Sequence, residues 1–432
     1  QSLAARFARH EVSLDYASVA ACRACGSAGG GCQFMGTAAT TQVIAEALGL
    51  ALPHSALHPS GTPLWLDLAR RSARALAGLA RAGRVTGDLL SDAAVTNAMA
   101  VHAAVGGSTN LYLHLPAIAH AAGLRRPTAA DWVAVNRAVP RLVDALPNGP
   151  RNHATVHVFL AGGVPEVMLH LARRGALDTS VPTVAGGTLA DDLAWWETSH
   201  RRAALRQRLF EVDGVDPDDV IRPPGRELPG TVTILDGDLA PHGAIVKSTA
   251  IGPHLLDADG TYRCRGAARV FTSEDAAIAA VKARAVGPGE VMVLIGVGPS
   301  FGMPETYQLT AALKHIDEGG RIPLVTDGRF SGVSTGPCVG HVSPEAAAGG
   351  PLGRVRDGDP IDIEIDTVAL TGRVAFAGDP AALAQRPVHP ELAARADTLS
   401  ADTRLWAALS AVAGGSWGGC VYDTDAIIAK LR

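Results

Sequence analysis

Chemistry in this sequence could come from a cysteine in a glycine loop and from hydroxyl and amide groups gathered in small-residue loops. Cys32 follows Gly29-Gly30-Gly31 and precedes an apolar-periodic helix expected over 37–50. A thiol beside a helix N-terminus is drawn toward thiolate by the dipole and free N–H groups, and thiolate is the form that binds iron. The same placement also suits a small buried residue in a tight loop. Cys22 and Cys25 have C-x-x-C spacing, but no second pair follows at zinc-finger distance and no thioredoxin-like unit opens there, so spacing gives them no role. Ser108, Thr109 and Asn110 follow Gly106-Gly107 at the start of a helix. They could form an anion or carboxylate site or simply cap a helix–helix turn. A further loop, with Ser331, Ser334 and Thr335, follows the apolar run 322–325 and Thr326-Asp327-Gly328. A strand that delivers such a loop brings N–H groups and hydroxyls close to a ligand. Ser343-Pro344-Glu345 predicts a helix start, and Gly298 to Pro304 leads into a helix opened by Glu305.

The elements that must position these groups change character along the chain. Helices are expected over 63–82, from Ser91 or Asp92 to Val105, over 111–122 and over 164–174, with a short strand at 155–161, TVHVFLA. His114 and His120, on the helix 111–122, are expected to be packing or surface residues. The Pro-, Gly- and Asp-rich run 213–225 reads as a boundary. Beyond it short strands are expected at 231–235, 244–248, 268–271, 291–295, 321–325, 361–365 and 368–376, with helices at 273–285 and 402–412. Closely spaced short strands suggest a closed or nearly closed sheet. The expected domains are therefore 1–225, 226–385 and a helical tail, 386–432.

With 432 residues, 47% hydrophobic and 4% aromatic, the chain has an ordinary globular composition. A net charge of -4 provides no basic footprint for nucleic acid and no polybasic membrane patch, and the few aromatics argue against base-stacking surfaces. No apolar run reaches membrane-spanning length, so a cytoplasmic protein with no membrane partner is expected. Six cysteines in that setting are more often buried, catalytic or metal-binding than disulfide-bonded. The chain starts at Gln1 rather than methionine, and further sequence is expected upstream.

Five blocks, in order, carry a resemblance: GGGCQFMGTAATTQVIAEALGLALPHS, AVGGSTNLYLHLPAIAHAAG, GDLAPHGAIVKSTA, GPSFGMPE and TDGRFSGVSTGPCVGHVSPEAAAGGPLGRVRDGD. Together they resemble the dihydroxy-acid and 6-phosphogluconate dehydratase family, which includes the sugar-acid dehydratases. CRACGSAGGGCQF, DPDDVIRPPG, GMPETYQLTAALKHI and DTRLWAAL are similar to its bacterial D-xylonate dehydratase branch. The resemblance implies an α/β fold: an N-terminal α/β/α domain, here mostly helical, and a C-terminal β-barrel-like domain. It places the active site between them.

By the same resemblance, Cys32 matches the last of three cysteines holding an iron–sulfur cluster, [2Fe–2S] or alternatively [4Fe–4S]. Glu305 matches a Mg²⁺ ligand, and Ser331 the serine that abstracts a proton. The other cluster cysteines, the aspartate ligands and a carbamylated lysine would lie upstream; none of Lys247, Lys282, Lys314 and Lys430 stands in the matching motif. Val333 replaces a threonine found in some sugar-acid members, with Ser334 and Thr335 beyond it.

The implied reaction is loss of water from a sugar acid such as D-xylonate to give a 2-keto-3-deoxy acid. A weakly acidic C2 proton calls for a hard cation on the enolate oxygens, and a hydroxide leaving group calls for a Lewis acid. A homodimer or homotetramer acting on a small-molecule sugar acid is implied. The alternatives are a dihydroxy-acid dehydratase of branched-chain amino-acid synthesis and a non-catalytic scaffold homologue.

Overall fold

Apolar residues at helical spacing fill the first half of the chain and short apolar runs the second. The computed structural model folds them into two units: 1–108 with 139–229, and 109–138 with 230–432. The structure describes residues 6–7, 10–25, 32–147, 149–314, 316, 318–412 and 414–432, without the side chains of 21–25 and 396. Glycines 29–31 and the side chains of Cys22 and Cys25 therefore lie outside the described residues.

The first unit is helical. Ser91 caps the helix Asp92–Val105 by accepting from the Ala94 N–H at 3.1 Å, and Gly106, at φ +64°, ends it in the left-handed conformation. Thr62 and Pro63 start the helix Pro63–Arg81 in the same manner, with the Trp65 N–H donating to the threonine hydroxyl. The run TVHVFLA, expected as a strand, is instead the helix Thr155–Ala161, which turns at Gly162 into Gly163–Arg173. A largely apolar run of seven residues does not distinguish a strand from a buried helix by periodicity; packing against the helix His200–Asp213 decides it. Glu166, buried in this unit, accepts from Arg202 Nε and Nη2, each at 2.7 Å, and from the Trp196 indole at 2.9 Å. Among the described residues, no single helix is long and apolar enough to cross a membrane.

The second unit is a closed eight-stranded barrel with helices around it. Its strands are β1 (Val232–Asp236), β2 (Gly243–Lys247), β3 (Thr261–Phe271), β4 (Glu290–Leu294), β5 (Leu324–Thr326), β6 (Cys338–Ser343), β7 (Pro360–Asp366) and β8 (Thr371–Phe376), closed in the order β1-β2-β6-β5-β4-β3-β7-β8. Closure leaves no free sheet edge. Leu235, Val246, Val293, Val325, Val339 and Ile363 are among the residues that form its core.

Strands β3, β4 and β5 run parallel, and parallel neighbours need a crossover. The helices Glu274–Lys282 and Tyr307–Lys314 supply the first two. Strands β5 and β6 are parallel as well, with Leu324 opposite Cys338 and Val325 opposite Val339. Their connection, 327–337, contains no helix, so a loop alone carries the chain back along the barrel.

Two expectations are corrected here. Strand β6 was not among the expected strands: every one of its residues is buried, so it lacks the polar alternation that marks a half-exposed strand. Ser343-Pro344-Glu345 does not start an α-helix. Ser343 ends β6 opposite Gly243, and only the 3-10 turn Ala346–Ala348 follows. The Glu345 side chain turns inward to Ser300 instead of lying in a helical first turn.

Candidate active site

The loops that leave β4 and β5 carry the candidate groups side by side. Glu305 forms a parallel bridge with Arg329, so the strand pairing of β4 and β5 reappears beyond their ends. The Arg329 N–H donates to the Pro304 carbonyl at 3.2 Å, the Thr306 N–H donates to the Arg329 carbonyl at 2.9 Å, and Arg329 Nε donates to the Met303 carbonyl at 2.6 Å. Glu305 thus sits just ahead of the helix Tyr307–Lys314 rather than inside it. Its carboxylate accepts from the side-chain amide of Asn110, at the start of the helix Leu111–Ala121.

Ser331 follows Arg329 by two residues and is half-buried. Its Oγ accepts from the Val333 N–H at 3.5 Å, and its carbonyl from the Ser334 N–H at 2.9 Å. The loop is fastened from three sides. Lys247, buried on β2, donates from Nζ to the Gly332 carbonyl at 3.3 Å, Gly336 N–H donates to the Ala250 carbonyl at 2.9 Å, and the Ser334 hydroxyl lies 3.0 Å from that of Thr310. Ser334 is therefore turned to the helix Tyr307–Lys314, and Thr335 lines a small cavity with Thr310 and Lys314. Thr109 is fully buried. Ser108 belongs to the first unit, where its N–H donates to Thr40 Oγ1 at 2.9 Å and its hydroxyl lies 3.1 Å from that of Thr37. Of the candidates, Asn110, Glu305 and Ser331 share one end of the second unit.

Beneath the loop lie two acids that the sequence reading passed over. Asp327, fully buried, accepts from the N–H groups of Gly296, Val297 and Ala346 at 3.3, 3.1 and 3.0 Å. Glu345 accepts from the Ser300 N–H at 3.0 Å and the Ser300 hydroxyl at 2.6 Å. Burial pushes Asp327 up to about 6 against those bonds. Burial also pushes Glu345 up to about 7, with the Asp327 charge adding to the shift. These acids tie the loops after β4, β5 and β6 together. An acid directly after an apolar strand is the signal that could have marked Asp327.

Cys32 lies in the first unit and is exposed. Its carbonyl accepts from Thr155 Oγ1 at 2.6 Å, and the neighbouring Gln33 carbonyl from the Thr155 N–H at 3.0 Å. Among the other described free cysteines, burial raises Cys264 and Cys338 and pushes Cys420 up to about 12, which keeps these three as thiols. An accessible thiol suits one cluster position, and the Glu305 carboxylate suits one oxygen position on a hard cation. Each residue fits as a single ligand; no group of three His, Cys, Asp or Glu able to hold a metal ion occurs among the described residues.

Comparison with known proteins places both halves of the chain. Residues 2–192 match the model of the dihydroxy-acid/6-phosphogluconate dehydratase N-terminal domain, and 219–412 that of the C-terminal domain. The chain is 57% identical to the D-xylonate dehydratase YagF and 52% identical to the D-xylonate dehydratase YjhG, both of Escherichia coli K12, over its whole length and 68% of each relative. It is 38% identical to a dihydroxy-acid dehydratase of Nitratidesulfovibrio vulgaris, over 82% of this chain and 59% of that protein.

Proposed function

This chain belongs to the dihydroxy-acid/6-phosphogluconate dehydratase family, and from that premise we propose that it dehydrates D-xylonate or a related aldonate to the 2-keto-3-deoxy acid. The observation that carries the reading is the meeting of Glu305 and Ser331 on the loops of one barrel end, with Asn110 bonded to Glu305, in a chain more than half identical to two D-xylonate dehydratases. Ser331 is the base that removes the C2 proton. Serine is a poor base at its ordinary pKa, so its alkoxide needs stabilisation. The Val333 N–H directed at Oγ supplies one donor, and the buried Lys247 ammonium on the adjoining carbonyl adds positive charge to the same loop. Asn110 orients the Glu305 carboxylate by donating to it. In this reading Glu305 would give Mg²⁺ one oxygen ligand and Cys32 would give an iron–sulfur cluster one thiolate; the ion would supply positive charge for enolate oxygens and the cluster a Lewis acid for the hydroxide that leaves.

The test uses full-length protein with reconstituted cluster and Mg²⁺, assayed on D-xylonate, D-gluconate, L-arabinonate and 2,3-dihydroxyisovalerate. The highest kcat/KM is expected on D-xylonate; turnover of 2,3-dihydroxyisovalerate alone would overturn the substrate assignment. Ser331→Ala should lower kcat by at least about 10²-fold, with metal content and melting unchanged. Near-normal turnover would remove Ser331 as the base.

A further inference from the structure

Asn110 can orient the Glu305 carboxylate only if the helix that begins at Asn110, Leu111–Ala121, is itself fixed against the barrel. Pro116 lies inside that helix and has no N–H to give, so one backbone donor is missing within it. The helix Ala129–Ala138 provides one fastening. Tyr112, fully buried two residues from Asn110, has its ring centroid 4.1 Å from that of Trp132, and its hydroxyl accepts from the Asn136 side chain at 2.8 Å. Asn136 also donates to the Val232 carbonyl on β1 at 3.4 Å.

The C-terminal tail fastens the same helix from more than 290 positions away. The Trp417 ring stands edge-on to Tyr112 at 6.0 Å, and its indole N–H donates to the Gly243 carbonyl at 3.3 Å. Gly419, at φ +86°, comes so close that a Cβ there would lie 2.6 Å from the Ala117 backbone nitrogen, next to Pro116. Arg126, just past the helix, donates to the Gly418 carbonyl at 3.3 Å and to the Asp423 carboxylate at 2.7 Å. Gly243 begins β2 opposite Ser343, the last residue of β6. Because β4, β5 and β6 run parallel, this is the barrel end from which the loops with Glu305 and Ser331 leave. Trp417 thus joins that end of the barrel to the first turn of the helix, its apolar ring on one partner and its polar N–H on the other.

We propose that Trp417 and Arg126 are positioning residues for Glu305: through them the tail clamps the helix Leu111–Ala121 so that the Asn110 amide meets the carboxylate. Neither residue touches Glu305. A carboxylate held in one orientation by an outer hydrogen bond binds a cation more tightly than one free to turn, and loosening the helix releases that bond. The assignment rests on the reading of Glu305 as a Mg²⁺ ligand.

The test is calorimetric titration of Mn²⁺, standing in for Mg²⁺, into full-length protein with its cluster reconstituted and its divalent ions removed. Asn110→Ala should weaken Mn²⁺ about tenfold or more. Trp417→Leu, which loses the indole bond and the ring edge, should weaken it about three- to tenfold, and Trp417→Phe, which keeps a ring against Tyr112, should fall between Trp417→Leu and wild type. Because the tail acts through Asn110, adding Trp417→Leu to Asn110→Ala should weaken Mn²⁺ no further. Unchanged Mn²⁺ affinity in Trp417→Leu overturns the clamp, as do additive losses in the double variant. If melting shows Trp417→Leu to be unfolded, the same cycle is decided on Arg126→Gln. Glu305→Ala separates the two readings. Mn²⁺ binding that survives Glu305→Ala overturns Glu305 as a ligand and the clamp with it, whereas binding lost in Glu305→Ala and unchanged in Trp417→Leu overturns the clamp alone.

Discussion

Asp327→Asn asks whether a buried charge fastens the loop that carries Ser331. Asp327 is wholly buried and accepts three backbone N–H groups, yet burial still pushes it up to about 6 from 3.8. Ionising it therefore costs about 3 kcal/mol more in the folded chain than in the unfolded one. The sign follows from proton counts. Between pH about 4 and about 6 the folded chain keeps a proton that the unfolded chain has lost, so stability falls as pH rises through that window and stays lower above it. Asparagine has no such proton. It loses at least one of the N–H bonds, about 1–3 kcal/mol, at every pH. The stability of wild type relative to Asp327→Asn should thus decline with rising pH, with roughly half of the 3 kcal/mol, about 1.5 kcal/mol, falling between pH 5 and pH 8. For a unit of this size that is roughly 3–6 °C in the difference of melting temperatures. Calorimetric melts of both proteins at pH 5, 6, 7 and 8 measure it. A difference that stays constant or grows with pH would refute the costly buried carboxylate.

Three further substitutions separate fastening from chemistry. Lys247→Met removes the bond to the Gly332 carbonyl while filling much of the same volume; kcat should fall about tenfold or more with little change in melting temperature, since a buried charge is costly to hold. Gly340→Ala places a Cβ 2.4 Å from Phe330 Cδ1, so the ring beside Ser331 must move; a loss of about 1–3 kcal/mol and a fall in kcat are expected, measured by urea melts and steady-state rates. Glu166→Gln leaves Arg202 without its carboxylate and should cost about 2–4 kcal/mol in chemical denaturation, the lower end reflecting partial exposure of that arginine. Burial favours the neutral form of Glu166, but Arg202, Arg206 and Trp196 outweigh it and hold the group below the usual range. Its contribution is full above about pH 4.5, the unfolded value, and is lost as pH falls through the depressed folded value.

What could be read from the sequence and what could not divide along the range of the forces involved. Ser91, Thr62 and Gly106 act on their own helices, within three or four residues, and those elements stand close to where capping and periodicity put them. TVHVFLA and β6 failed for different reasons: seven residues are too few to show a helical period, whereas β6 is buried on all sides, which erases the period that separates helix from strand. The family resemblance supplied Cys32, Glu305 and Ser331 as residues, but not how they are held. Glu305 meets Asn110 across 195 positions, and Asp327 and Glu345 hold loops 19 to 45 positions away. A short-range reading hears an acid after a strand as a turn, and Ser-Pro-Glu as a helix start. The missed signals were residues too costly for their local setting. Lysine within the apolar strand AIVK, histidine within CVGHVS and aspartate directly behind PLVT are each expensive to bury without a partner. Such a residue requires a distant group to satisfy it. Lys247 has the loop carbonyl and Asp327 three backbone N–H groups, whereas His341 Nε2 is buried with no hydrogen-bond partner among the described residues.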